Sequence, residues 1–127
     1  MKKTRIIYWT TTALFCLLML FSAFNYLTNP EMKSAFAHLG FPDYFRVKLA
    51  IAKILGALAL LLPLTPKGFK YFAYAGFAIN VISATIAHIA SSDPLMVALA
   101  PLIFLAVLVV SFFYYEKMIR ELKTVNN

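Results

Sequence analysis

Residues 95–115 read LMVALAPLIFLAVLVVSFFYY, and none of these side chains is charged. About 20 apolar residues are enough for a helix to cross the ~30 Å hydrocarbon core of a bilayer, so this segment can make one crossing by itself. Further back in the chain, Tyr71 to Ala90 (YFAYAGFAINVISATIAHIA), Val47 to Leu64 (VKLAIAKILGALALLLPL) and Ile6 to Leu27 (IIYWTTTALFCLLMLFSAFNYL) have the same character. These runs use up most of the 127 residues. The expected fold is therefore an all-α integral membrane protein: a four-helix transmembrane bundle with spans near 6–27, 44–64, 69–90 and 95–115. Residues 1–127 form a single domain, and 116–127 form a cytoplasmic tail.

The composition agrees with this reading. Apolar residues make up 62% and charged residues 13% of the chain, with a mean hydropathy of +0.80, whereas soluble domains carry about a quarter charged residues. The net charge of +7 does not point to nucleic acid, because the basic residues sit at the ends of apolar runs, where anionic lipid is the natural partner. The single cysteine, Cys16, excludes an intrachain disulfide and a Cys-x-x-Cys redox pair. Lys2, Lys3 and Arg5 before an apolar stretch imitate a secretory signal. Ser22-Ala23-Phe24-Asn25 lacks a small-x-small cleavage pattern, however, and the segment reads as a retained first helix.

Loop charges set the expected orientation. With four spans, both termini and the middle loop share one face carrying Lys2, Lys3, Arg5, Lys67, Lys70, Lys117, Arg120 and Lys123; the other has Lys33, Arg46 and Lys48 with Glu31, Asp43 and Asp93. Both ends are accordingly expected in the cytoplasm. In the first outer loop, Asn29-Pro30 supplies a cap followed by proline, and Gly40 supplies a left-handed stop. Met32, Ala35, Phe36 and Leu39 share a face of the short helix between them, which is expected to lie in the interface between the first two spans. Thr65-Pro66 and Asp93-Pro94 read as helix starts, Pro101 as a potential kink, and Phe104 to Val110 as a lipid-facing wall.

Function has to come from polar residues inside the spans. Lys53 lies about ten residues into the second span, where a lipid-exposed charge costs at least ~2–3 kcal/mol. It either lines an interior site, holding an anionic or carbonyl-bearing group, or snorkels to the outer interface. Asn80, Ala84 and His88, with Thr85 beside them, form a stripe expected to face the bundle centre. The functional reading is an outward-opening polar pocket lined by Asn25, Lys53, Asn80 and His88, with Arg46 and Tyr44 at its mouth; the alternative is that these groups only join helices. His38 and His88 without a nearby Cys or paired carboxylates do not make a zinc site, and no metal site or catalytic residue is assigned. No Asp or Glu lies inside a span, which weakens a proton-coupled transporter, and there is no Ser-His-Asp set or phosphate loop.

Leu39-Gly40-Phe41-Pro42-Asp43-Tyr44, Lys53-Ile54-Leu55-Gly56-Ala57-Leu58-Ala59, Pro63, Lys67, Lys70, Tyr74-Ala75-Gly76-Phe77 and Ser83-Ala84-Thr85-Ile86-Ala87-His88 resemble the DoxX-like family of small bacterial four-helix membrane proteins. The resemblance picks out Gly40, Pro42, Lys53, Gly56, Ala84 and His88. It implies a multi-pass protein of the bacterial cytoplasmic (inner) membrane and, through the quinone-linked sulfur oxidation that gave the family its name, a quinone or another apolar small molecule as ligand. Most members have no established activity, and this chain has no redox ligand of its own. The expectation is a ligand-binding membrane protein that leans away from being an enzyme, with its cofactor unassigned. The alternatives are an accessory subunit or scaffold working with other membrane subunits and, third, a small-molecule transporter.

Overall fold

The computed structural model describes residues 1–126, with side chains as far as Val125. Five helices follow one another: α1 (Lys2–Thr28), α2 (Pro30–His38), α3 (Asp43–Leu61), α4 (Lys67–Ala90) and α5 (Leu95–Asn126). Lys2–Thr28, Lys67–Ala90 and Leu95–Val125 are long and apolar enough to cross a membrane, as expected of a multi-pass membrane protein. α3 stands apart from these three candidate spans. Its 19 residues include Asp43, Arg46, Lys48 and Lys53, so most of its first half is charged or flanked by charge.

The connections follow from local chemistry. Asn29 caps α2 by accepting from the Glu31 N–H at 3.0 Å, with Pro30 in the first turn where no N–H is needed. Gly40, at φ +87°, ends α2, and the Phe41 N–H returns to the Phe36 carbonyl at 2.9 Å. α4 stops in the same way with Ser92 at φ +60° and the Asp93 N–H on the His88 carbonyl at 3.0 Å. The two expected cap-then-proline starts are shifted. α4 begins at Lys67 after Pro66 without a side-chain cap, and the first α5 bond runs from the Ala98 N–H to the Pro94 carbonyl at 3.1 Å. The Asp93 carboxylate is engaged elsewhere. α5 runs on through Pro101 to Asn126, so the segment expected as a tail is helical over its described part; Asn127 lies outside the described residues. Near its end, Glu121 accepts from the Thr4 hydroxyl at 3.0 Å and pairs with the Met1 amino group at 3.7 Å.

α1 packs against α3 and α5, and α4 packs against the same two helices, which leaves α1 and α4 diagonal to each other; α2 lies against α1 and α3. One end of this body holds both termini and the α3–α4 turn, the other the α2 loops and the α4–α5 turn. In lipid, apolar burial gives helices little reason to associate, so close contact and interhelical hydrogen bonds decide the packing. Gly56 illustrates the contact: a Cβ there would lie 2.8 Å from the Phe77 ring, which packs edge-on to Phe15 with centroids 5.0 Å apart. The hydrogen bonds run from Thr12 to Ser111 at 2.6 Å and from Ser111 to Tyr74 at 2.7 Å, joining α1, α5 and α4 through buried hydroxyls. The supposed lipid-facing wall on α5 is mixed, because Leu108 is buried in the core while Val109 and Val110 are exposed.

Candidate functional site

Lys53 is 6% exposed, and its Nζ donates to the Ser22 hydroxyl and the Tyr26 hydroxyl, each at 2.9 Å, while lying 4.1 Å from the Tyr26 ring centroid. Ser22 and Tyr26 are four residues apart in the last turns of α1, so they share a face. This lysine is therefore turned into the protein and toward α1. Its stem climbs within the body, and its ammonium ends near the loop end of α1. Phe36 from α2 covers that place, packing edge-on to Tyr26 with centroids 5.0 Å apart.

On its other side Lys53 lines a cavity of about 350 Å³ between α3 and α4, within the ~300–1,000 Å³ range of small-molecule sites. Asn80 lines it too, and the remaining wall is apolar or small, including Leu49, Gly56, Ala59 and Gly76. Leu55, Phe69 and Phe72 on its border are exposed, so it opens sideways, where lipid would lie. The two glycines differ. Gly56 is pressed against Phe77, whereas a Cβ on Gly76 would meet nothing within 4 Å; Gly76 borders empty space. The Asn80 carboxamide makes no side-chain hydrogen bond among the described residues.

Of the expected pocket residues, Lys53 and Asn80 come together in this cavity, and the others lie elsewhere. The inward stripe of α4 runs through Phe77, Val81 and Thr85, beside Asn80, Ala84 and His88, which are half-buried. His88 turns to the α4–α5 turn, where Asp93 receives its Nδ1 at 2.7 Å and the His38 Nε2 at 2.7 Å. Arg46 pairs with Asp43 at 3.1 Å and donates to the Tyr26 carbonyl. Asn25 accepts from the Asn29 amide at 3.2 Å, and Tyr44 is exposed. Asp93 is the link that sequence reasoning missed. Its carboxyl is held below the usual aspartate range, first by the His88 hydrogen bond and then by that from His38. No group of three His, Cys, Asp or Glu residues that could hold a metal occurs among the described residues.

The profile of the DoxX-like family matches residues 10–111. The chain belongs to this family. Comparison with curated proteins and with solved structures returns no match. The matched stretch of this DoxX-like protein contains the α3–α4 cavity, Lys53 and the Asp93 link. It also contains a second buried lysine that the sequence had placed on the surface. Lys70 is 3% exposed, and its Nζ donates to the Leu60 carbonyl at 3.0 Å and the Tyr8 hydroxyl at 3.4 Å, with the Trp9 and Tyr115 rings each 5.8 Å away. The Leu60 carbonyl belongs to the last turn of α3, where carbonyls have no helical partner and the helix dipole is negative. Lys70 thus closes α3. A stripe at four-residue spacing on α1, Thr4, Tyr8 and Thr12, was the available sign that polar groups enter the body there.

Proposed function

We propose that this DoxX-like protein crosses the bacterial cytoplasmic membrane four times, α3 included, with both ends in the cytoplasm, and binds a small membrane-soluble molecule in the α3–α4 cavity. Such a ligand enters sideways from the bilayer, lays its apolar body over Gly76 and Phe72, and turns its polar end to Asn80 and Lys53. The observation that carries this reading is an unpartnered carboxamide on the wall of a laterally open apolar cavity. Such a group is expensive to leave unpaired in hydrocarbon. A quinone fits in kind, having an apolar body and a carbonyl head. α3 can serve as the fourth span because its most buried charge, Lys53, is turned inward.

The competing reading, an accessory subunit or scaffold, draws on the two hydroxyls that already hold Lys53. A ligand screen separates the two. The wild-type protein in phosphatidylcholine nanodiscs is tested against a panel of apolar small molecules, a short-chain quinone among them, with thermal midpoint as readout. Gly76→Leu serves as the blocked variant, since its side chain grows into open space. A midpoint rise in the wild type that is lost in a folded Gly76→Leu protein is expected. Absence of any shift, or a shift that survives the leucine, would favour the scaffold.

A further inference from the structure

Among the buried or half-buried cationic and imidazole groups described above, all but one meet an acceptor of negative character. Lys70 has the Leu60 carbonyl at the negative end of α3, Arg46 has Asp43, and His88 has Asp93. Lys53 is the exception among these hydrogen-bonded groups: its two acceptors are neutral hydroxyls, the Tyr26 ring face 4.1 Å away carries no net charge, and no carboxylate lies within ion-pairing distance of it among the described residues. An ammonium has three N–H donors, and two are engaged, so one remains. Buried charges are ordinarily paired, and in a membrane interior the expected partner is an opposite charge or a carbonyl. The cavity that Lys53 lines has the Asn80 amide as its other polar group and otherwise offers apolar surface.

We infer that the cavity's ligand is an acidic lipophile, a long-chain carboxylic acid, whose carboxylate supplies the counter-charge that Lys53 lacks and accepts a hydrogen bond from Asn80. This rests on the ligand-binding reading above and narrows it to one chemical class. A carboxylic acid suits the route as well as the site. It crosses hydrocarbon in its neutral form at modest cost, enters between α3 and α4 with its chain along Gly76 and Phe72, and gives its proton to water at the membrane surface as the carboxylate settles beside the ammonium. A neutral ester of the same chain fills the same apolar wall but leaves Lys53 uncompensated.

The test uses the full chain in phosphatidylcholine nanodiscs at neutral pH, with a photoactivatable hexadecanoic acid and its methyl ester as paired probes and peptide mapping of the labelled positions. Labelling of 49–59 and 69–80 by the acid at about tenfold the level of the ester is expected, the ratio that ~1.4 kcal/mol of charge pairing produces. Unlabelled hexadecanoic acid should compete. Lys53→Met should bring acid and ester to equal labelling, Lys53→Arg should keep the acid preference, and Gly76→Leu should remove both. Because Lys53→Arg preserves the charge, it gives a reading even if the methionine variant does not fold. Equal labelling of the wild type by acid and ester, both sensitive to Gly76→Leu, would overturn the acidic class while leaving ligand binding in the cavity intact. An acid preference that persists in folded Lys53→Met would also overturn it. Labelling by neither probe would count against both proposals.

Discussion

Two lysines are buried among the described residues, one toward each end, and each reaches a tyrosine hydroxyl of α1: Lys53 meets Tyr26, and Lys70 meets Tyr8. The two tyrosines are separated by roughly 27 Å of helix rise, close to a hydrocarbon thickness. The difference lies in what else each ammonium finds. Lys70 completes the backbone of a neighbouring helix, at a carbonyl that has no other partner among the described residues. Lys53 finds hydroxyls that could bond elsewhere, and it borders a cavity. Burial alone therefore does not mark a functional cation. Both ammonium groups make two hydrogen bonds and keep one N–H, so what separates them is the helix-end carbonyl that Lys70 meets and the cavity that Lys53 lines.

The sharpest way to break this comparison is to remove the two charges in turn. Lys70→Met leaves the Leu60 carbonyl and the Tyr8 hydroxyl without their donor, and a buried acceptor stripped of a charged partner costs roughly 1.5–3 kcal/mol. Lys53→Met replaces a poorly compensated cation by an apolar side chain of similar length, a change that is often neutral or stabilising for buried charges. Thermal midpoints and denaturant titrations in a mild detergent should show Lys70→Met clearly destabilised and Lys53→Met within ~1 kcal/mol of wild type. The reverse order would mean that Lys53 is the structural lysine, and the cavity would lose its claim to a ligand.

The two glycines of the cavity sharpen the same contrast at the level of packing. Alanine at position 56 puts a Cβ against the Phe77 ring, which is itself held by Phe15, and overpacking of this kind costs about 1–3 kcal/mol. Alanine at position 76 meets nothing and gains up to ~1 kcal/mol of helix propensity. Gly56→Ala should therefore lower the midpoint and Gly76→Ala leave it level or raise it. If the two behave alike, the α3–α4 gap is not the open space described here.

A smaller difference is expected from hydroxyls. Ser111 joins Thr12 and Tyr74 in a closed interior chain toward the terminal end, and Ser111→Ala should cost ~1–2 kcal/mol because two buried partners lose a bond. Among the described residues the Ser22 hydroxyl serves only Lys53, which keeps Tyr26, so Ser22→Ala should cost less than ~1 kcal/mol. The order of the two midpoints, measured side by side, checks this.

How far the sequence could reach is clear from the same residues. Three of the four apolar runs, the Asn29-Pro30 start and the Gly40 stop follow from local rules of hydropathy, capping and backbone freedom, and the structure has candidate spans, cap and stop where those rules put them; α3, with its charged first half, is not among the candidate spans. Lys53 was legible as an anomaly because one charge in an apolar run is visible without coordinates. Lys70 was not: it lies three residues from Lys67 at the start of a helix, where a solvated lysine is the ordinary case, and only its contacts with the end of α3 and with α1 show it turned inward. The expected single pocket split for a related reason. His88 and Lys53 approach the same end of the body, but helix rotation sends His88 to Asp93, a loop acid whose reach depends on the left-handed Ser92. Neither rotation nor loop conformation is written in hydropathy.

The loop end can be probed by acid, with the smallest effect of the set. Asp93 ties His38, at the end of α2, to His88, at the end of α4, and so fastens on its far side the short helix whose Phe36 covers Tyr26 and, behind it, Lys53. These two bonds depress the Asp93 carboxyl, so the folded state binds this proton less readily than the unfolded chain does. The sign follows: the contribution is complete above the ordinary aspartate value of about 3.9 and fades as pH falls through the lower folded value. Midpoints measured from about pH 5 downward should therefore fall more steeply for the wild type than for Asp93→Asn. Near neutral pH the wild type should be the more stable by the whole of this modest contribution, and the two proteins should converge as the carboxyl is protonated. The terminal end supplies the control: Ser111→Ala removes a contact between hydroxyls that stay neutral throughout this range, so its deficit should hold constant with pH. If Asp93→Asn shows the wild-type acid slope, the carboxylate does not hold α2 in place, and the cover over Lys53 rests on the Phe36 and Tyr26 rings alone.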